Sequence, residues 1–176
     1  MPPPIKLRLV DHRPVWADLA EAEAARLREA VAPMVLVVHH IGSTAVPGLI
    51  AKPIIDLLAV APDLTALDAA RPRIEALGFS WHGEYGIAGR RYCKLDDPAT
   101  GERLVQLHCF QAGSPHILRH LAFRDFLRAR PDIAADYADE KRRCADLHPG
   151  DSHAYAECKS DWVRRIEALA LAHFAG

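Results

Sequence analysis

The chain has 176 residues, 50% of them hydrophobic and 26% charged. That composition fits one globular domain, or a domain with a helical extension, and excludes disorder, collagen and coiled coil. Lys plus Arg number 22 against 23 Asp plus Glu, a formal net charge of −1, which excludes a general electrostatic grip on nucleic acid or on an anionic membrane.

A proline-rich start, Met-Pro-Pro-Pro, carries no charged leader segment, and no run reaches the roughly 18 apolar residues of a membrane span. Residues 14–32 then read as a helix: Pro14 suits a first turn, and Val15, Leu19, Ala22, Leu27 and Val31 recur at helical spacing before Pro33. Residues 34–40, MVLVVHH, and 53–60, PIIDLLAV, read as strands around a Gly-Ser loop punctuated by Pro47-Gly48. Residues 64–77 are helical and stopped by Gly78; residues 79–85, 90–95 and 103–110 read as three more strands joined by hairpin loops. From Ser114-Pro115 onward the periodicity is helical, over 115–129, 132–147 and 152–173, with Pro131 and Pro149-Gly150 as separators and Asp151-Ser152 as a cap. The expected organisation is an αβ core over 1–113 and a helical region over 114–176 that packs on it, the two sharing one core or forming two units.

The four cysteines, Cys93, Cys109, Cys144 and Cys158, form no C-x-x-C pair. That argues against a zinc ribbon, and the expected setting is cytoplasmic with reduced thiols. Within the helical part, YADEK at 137–141 and YAECK at 155–159 each set a Tyr four residues before a Lys, on one helix face.

The segment HHIGSTAVPGLIAKPIIDLLAV, residues 39–60, concentrates the chemistry. Strand alternation places Asp56 on the face of Ile54 and Leu58, with Ile55, Leu57 and Ala59 opposite. A carboxylate between two apolar faces needs a metal, a cation or several donors. A Gly-Ser loop leaving a strand offers backbone N–H groups and a hydroxyl to a phosphate. Gly42, Ser43, Thr44 and Asp56 therefore read as a phosphate and metal site, or else as a turn beside an Asp56 that pairs with Lys52 or an arginine.

This arrangement resembles the nucleotidyltransferase superfamily of DNA polymerase β type, in which Gly-Gly or Gly-Ser precedes a pair of carboxylates on the next strand. Gly42-Ser43 and Asp56 match, but position 58, where the second carboxylate belongs, is Leu58, and the later strand LVQLHCF offers Gln106 and His108. HIGSTAVPGL, AKPIIDLL, GIAGRRY, LVQLHCF, SPHILRHLAFRDFLRARPD and HPGDSHAYAECKSDWV, in that order, resemble the GrpB family over nearly the whole chain.

The resemblance implies a minimal nucleotidyltransferase α/β (α+β) fold with a mixed sheet and a helical C-terminal part. It also implies a link to nucleotide or coenzyme A metabolism, since the family occurs fused to dephospho-CoA kinase. The catalytic candidates are Asp56 and His108. Metal candidates are Asp56, Glu84, His108 and, chosen over His39 through the resemblance, His40. Phosphate-binding candidates are Gly42, Ser43, Thr44, Lys52, Arg90 or Arg91, and, again through the resemblance, Arg119, Arg124, Lys141 and Lys159 facing the cleft. His116 and His120 read as surface histidines. The cofactor expected is a divalent metal, Mg or Mn with Zn as the other option, and the substrate an NTP. The expected partner is a nucleotide or other phosphorylated small molecule, without extended nucleic acid or membrane, and the oligomeric state is left open. Three functions compete: nucleotidyl transfer to or activation of a small acceptor, a non-catalytic phosphate-binding module, and a His/Asp metal hydrolase.

Overall fold

Helical periodicity near the start becomes α1, Val15–Val31, and its buried stripe Trp16, Ala20, Ala24, Leu27 and Val31 lies against the sheet. The computed structural model describes residues 8–175, so the proline-rich start lies outside the described residues. Strands β1 (Val37–Ile41), β2 (Ile55–Ala61), β3 (Ser80–Trp81), β4 (Arg90–Asp96) and β5 (Arg103–Gln111) form one mixed sheet in the order β1-β2-β5-β4-β3. The pair β2–β5 is parallel and the other pairs are antiparallel. Helix α2 (Leu64–Ala76), which Asp63 caps by accepting from the Ala66 amide at 2.7 Å, supplies the crossover on the α1 side.

Register assigns each strand residue to a face. Leu57, Ala59, Leu107, Cys109 and Cys93 point into the core under α1 and α2. The opposite face carries Asp56 beside Gln106, Leu58 beside His108, and Val60 beside Phe110. On that face Ile41, Leu58 and Phe110 form a small apolar cluster under Ile117 and Leu121 of α3 (Pro115–Ala129). Helices α4 (Pro131–Leu147) and α6 (Ser160–Ala175) build a further core with α3, in which Val46, Leu49 and Ile50 take part. The stretch after the Gly-Ser loop is thus enclosed by the C-terminal helices.

Three expectations need correction. Residues 79–85 keep only two strand residues, and from Gly83 onward the chain turns, with Gly83 and Gly86 at positive φ. The expected helix over 152–173 is two helices, α5 (Ser152–Cys158) and α6, broken at Lys159. The thiols are not all reduced: Cys144 and Cys158 form a disulfide that ties α4 to α5, while Cys93 and Cys109 are free and buried. Spacing alone does not reveal that pair, because it depends on how α4 and α5 cross. Among the described residues no helix is long and apolar enough to cross a membrane.

The disulfide closes a short loop, with a sequence separation of 14, and such a cross-link contributes about 3 kcal/mol by restricting the unfolded chain. Under denaturing, non-reducing conditions, thiol titration is expected to count two free cysteines, rising to four with a dithiol reductant. The double replacement of Cys144 and Cys158 by Ser is expected to lower stability by about 2–3 kcal/mol in urea melts. A count of four without reductant would remove the cross-link.

Candidate functional site

At the end of β1, Ile41 pairs with Asp56 across the sheet, and the next residue, Gly42, turns the chain with φ +72°. A methyl group on Gly42 would stand 2.6 Å from Asp56 Oδ2. Glycine is required twice over here, for the left-handed backbone and for the close approach to a carboxylate. One turn of 3₁₀ helix, Ser43–Ala45, follows, with Thr44 buried and its Oγ1 2.8 Å from His40 Nε2.

This loop forms one wall of a cavity of about 210 Å³. Asp56 and Gln106 supply the sheet wall and Lys52 the approach to β2. Phe123, Tyr137 and Tyr155 close the cavity from α3, α4 and α5, and Lys141 and Lys159 enter it from the same side. Lys141 is 3% exposed; its ammonium donates to Ser43 Oγ at 2.5 Å and to the Ile50 carbonyl at 2.6 Å, and lies 4.8 Å from the Tyr137 ring centre. Lys159 makes a long contact to the Tyr137 hydroxyl, 3.4 Å, and sits 5.5 Å from the Tyr155 ring centre. The helix break after Cys158 lets Lys159 reach inward. Tyr137 is fixed from behind by Trp162, stacked at 4.5 Å.

Three lysine side chains and one carboxylate line this one cavity. Burial pushes the Asp56 carboxyl up to about 6, although Lys52, Lys159, Lys141 and Arg103 pull it down. Burial pushes all three lysines below the ordinary lysine value, Lys141 well below it. Asp56 opposes that shift in each, while neighbouring cations add to it for Lys52 and Lys141. Basic side chains outnumber the carboxylate in the cavity three to one.

Of the residues singled out from sequence, Gly42, Ser43, Thr44, Lys52, Asp56, Lys141 and Lys159 meet at this cavity. The others do not line it. His40 touches the loop, but the register pairs it with Leu57, on the sheet face opposite Asp56. Glu84 is exposed and accepts from the Gly89 amide at 2.7 Å. Arg90 is buried and donates to the carbonyls of Glu84 (3.1 Å) and Tyr85 (2.5 Å); Arg91 forks onto Asp68 at 2.6 and 2.7 Å. Arg119 pairs with Glu167 at 2.7 Å, and Arg124 with Asp125 and the His40 carbonyl. These four arginines tie elements together.

His108 shares the Asp56 face, yet it sits between the rings of Tyr92 and His120, 5.4 and 5.7 Å away. Burial, reinforced by Arg90 and Arg119, lowers it to about 4. His116 and His120 are partly buried rather than fully exposed: His116 stacks on Phe110 at 5.0 Å, and burial first, then Arg119, lowers His120 to about 3. Gln106, Phe123, Tyr137 and Tyr155 are the wall residues that sequence reasoning did not assign to the site; the repeated Tyr-x-x-x-Lys spacing was the signal for the two tyrosines.

The donor set around Asp56 does not build a two-cation centre. Leu58, fully buried between Ile41 and Phe110, occupies the second carboxylate position, and Gln106 stands beside Asp56 on β5. Of the four expected metal ligands, Asp56 is the one at the cavity.

The protein-family profile described as "GrpB protein" matches residues 6–169. The chain belongs to the GrpB family. It is 37% identical over 168 residues to the UPF0157 protein YqkA of Bacillus subtilis, covering 96% of this chain and 48% of that one, so it spans about half the length of that relative. It is 34% identical over 180 residues to a dephospho-CoA kinase of Mycobacterium leprae, covering 88% of this chain and 44% of that protein. The crystal structure of GrpB from Enterococcus faecalis superposes with a TM-score of 0.88 at 35% identity, covering 96% of this chain and all of that one. The Cid1 poly(U) polymerase, in a structure described as MgGTP-bound, superposes with a TM-score of 0.54 at 15% identity over 77% of this chain and 44% of its own. That likeness establishes a nucleotidyltransferase-like mixed α+β fold.

The glycine constraint is testable with a matched pair. Gly42→Ala is expected to destabilise by at least about 2 kcal/mol, because backbone strain and the clash with Asp56 add. Gly48 also has positive φ, +79°, but nothing lies within 4 Å of an added methyl; Gly48→Ala is expected to cost only about 1 kcal/mol. Equal midpoints in denaturant melts would show that the approach to Asp56 constrains nothing.

Proposed function

We propose that the protein binds a nucleoside triphosphate in the lysine-lined cavity and transfers its nucleotidyl group to a small acceptor, with Asp56 as base. The observation that carries this reading is the convergence of Lys52, Lys141 and Lys159 on one carboxylate beside a Gly-Ser loop, inside a nucleotidyltransferase-like fold. Three ammonium groups against one carboxylate favour a polyanion, and tyrosine and phenylalanine walls suit an aromatic base or ribose. In this reading the lysines carry the charge neutralisation that carboxylate-bound cations provide elsewhere. Magnesium enters only as part of the nucleotide, brought in on its phosphates. Asp56, ionised above about pH 6, takes the acceptor's proton as the new P–O bond forms and pyrophosphate leaves.

A second reading is a binding module without turnover, and Leu58 favours it, since the missing carboxylate lowers affinity for any catalytic metal. The hydrolase reading has no support in the arrangement, because His40, Glu84 and His108 do not join Asp56 at the cavity.

Melting curves with ATP, GTP, CTP, UTP and coenzyme A, each with and without magnesium, test the binding step. A ligand at a hundred times its Kd is expected to raise Tm by roughly 5–10 °C. Lys141→Met keeps much of the side-chain volume but leaves the Ile50 carbonyl and Asp56 without that cation, so it is expected to fold with a lowered unliganded Tm and to abolish the ligand shift. No shift in the native protein with any of these ligands would overturn the reading.

Turnover separates the two readings. Asp56→Asn is expected to keep nucleotide binding, since it removes the charge that opposes the phosphates, and to abolish pyrophosphate release. The native pH profile is expected to be bell-shaped: activity rises as pH passes about 6 and Asp56 ionises. It falls below the ordinary lysine range, because the three lysines lose their protons early. Binding without pyrophosphate release across acceptors would select the module.

A further inference from the structure

Beside the first cavity lies a second cleft of about 470 Å³. It is built from three places in the chain: Arg8 and Arg13 ahead of α1, the approach to β2 at Lys52, and the hairpin between β4 and β5 that ends in Arg103 and Leu104. Lys52 and Ile54 line both spaces, so the two adjoin.

The cleft is cationic by construction. Arg8, Arg13, Lys52 and Arg103 line it, against the lining carboxylate of Glu102 and the Asp96 carboxylate that pairs with Arg103, which leaves two basic groups in excess. Arg103 is held in place: its guanidinium pairs with Asp96 and donates to the Tyr92 hydroxyl at 3.3 Å. Arg8 and Arg13 are exposed. Leu104, 41% exposed, gives the cleft an apolar patch next to its charges. Such a site suits a small molecule with a carbon skeleton and one or more anionic groups, and the volume falls in the range of small-ligand pockets.

We propose that this cleft holds a second substrate, a small molecule bearing phosphate or carboxylate groups, which meets the nucleotide of the first cavity at Lys52. The proposal rests on the reading of the first cavity as the nucleotide site. It assigns the acceptor to an anionic class and places it on the N-terminal side of β2 and β5. Lys52 then stands between two anions and reduces the repulsion that would otherwise keep them apart. With both anions seated, its positive charge is stabilised from two sides, which offsets the burial that works against that charge when the site is empty. The charge pattern also explains why the acceptor cleft has no counterpart in the net charge of the chain: the excess cations are local.

Calorimetric titration of the full chain at fixed ionic strength tests this. The probes are glycerol 3-phosphate and citrate, with uncharged glycerol as control, in the presence and absence of saturating ATP. At least one anionic probe is expected to bind and glycerol is not; which of the two binds assigns the phosphate or the carboxylate class. The double variant Arg8→Glu, Arg13→Glu changes two exposed residues, so its fold is expected to persist. It should weaken the probe tenfold or more and leave ATP affinity within twofold. Lys141→Met should do the reverse. A native protein that binds ATP but no anionic probe, or binds glycerol as well as glycerol 3-phosphate, overturns the second site and spares the first. Equal losses of ATP and probe in the double variant also overturn it, since the two spaces would then be one. Probe binding that is lost in the double variant, in a protein that ignores ATP, supports the cleft as an anion site and overturns the nucleotide reading.

Discussion

A partly buried carboxylate, Asp56, packed so closely against Gly42 that an added methyl would stand 2.6 Å from its oxygen, sets the terms for the rest of this molecule. Asp56 lies on a strand whose other residues are nearly all apolar, and the sheet leaves it facing the side that the C-terminal helices cover. Taking that charge out of water is costly unless cations come with it. They come from three separate elements: Lys52 from the approach to β2, Lys141 from α4 and Lys159 from the break between α5 and α6. The helical region is therefore more than a cover for the sheet. Its placement is fixed by buried charge as well as by the apolar cluster around Phe126 and Tyr137, and Lys141, bonded to both Ser43 and the Ile50 carbonyl, ties α4 to the loop that Gly42 opens.

The substitution of leucine for a second carboxylate belongs to the same constraint. Leu58 is fully buried and packs with Ile41 and Phe110. A carboxylate there would need its own partners in a cluster that has none to spare. A site organised around several carboxylates attracts metal ions. One organised around several lysines favours anions, and the cavity beside the Gly-Ser loop has three lysines and one carboxylate.

The sequence was most informative where a local rule sufficed. Strand alternation assigned the Asp56 face and set Gln106 and His108 on one side of β5, and both assignments match the register. The Tyr-x-x-x-Lys spacing anticipated that Lys141 and Lys159 share a face with Tyr137 and Tyr155, and all four reach the cavity. Local rules failed where the partner is distant. Arg119 and Arg124 resemble cleft cations in sequence, but Glu167 and Asp125 satisfy them. Arg90 and Arg91 alternate as a strand requires, yet Asp68 and the carbonyls of the turn before β4 claim them. His40 reaches the Gly-Ser loop from the face that alternation denies to Asp56. The break at Lys159 carries no Gly or Pro, so periodicity runs straight through it, and the Cys144–Cys158 bridge depends on the helix crossing that this break permits.

The electrostatics of the cluster work against the fold from both signs of charge. Asp56 is held above the usual carboxylate range and the three lysines below the usual lysine range, so neither kind of group is comfortable as it stands. For Asp56 the sign is unfavourable to the folded state above the acidic range: the native protein holds its proton more tightly than the unfolded chain, and stability declines as pH rises from about 4 toward 6. For the lysines the unfolded chain holds protons more tightly, so wherever they are charged they too weigh against the fold, and stability rises with pH as they lose their protons. A polyanion, as proposed for this cavity, would supply favourable partners to three basic groups at the expense of one carboxylate. Under that proposal, folding and binding would be coupled through the same four groups, since the charges that burial penalises in the fold are the ones a polyanion would engage.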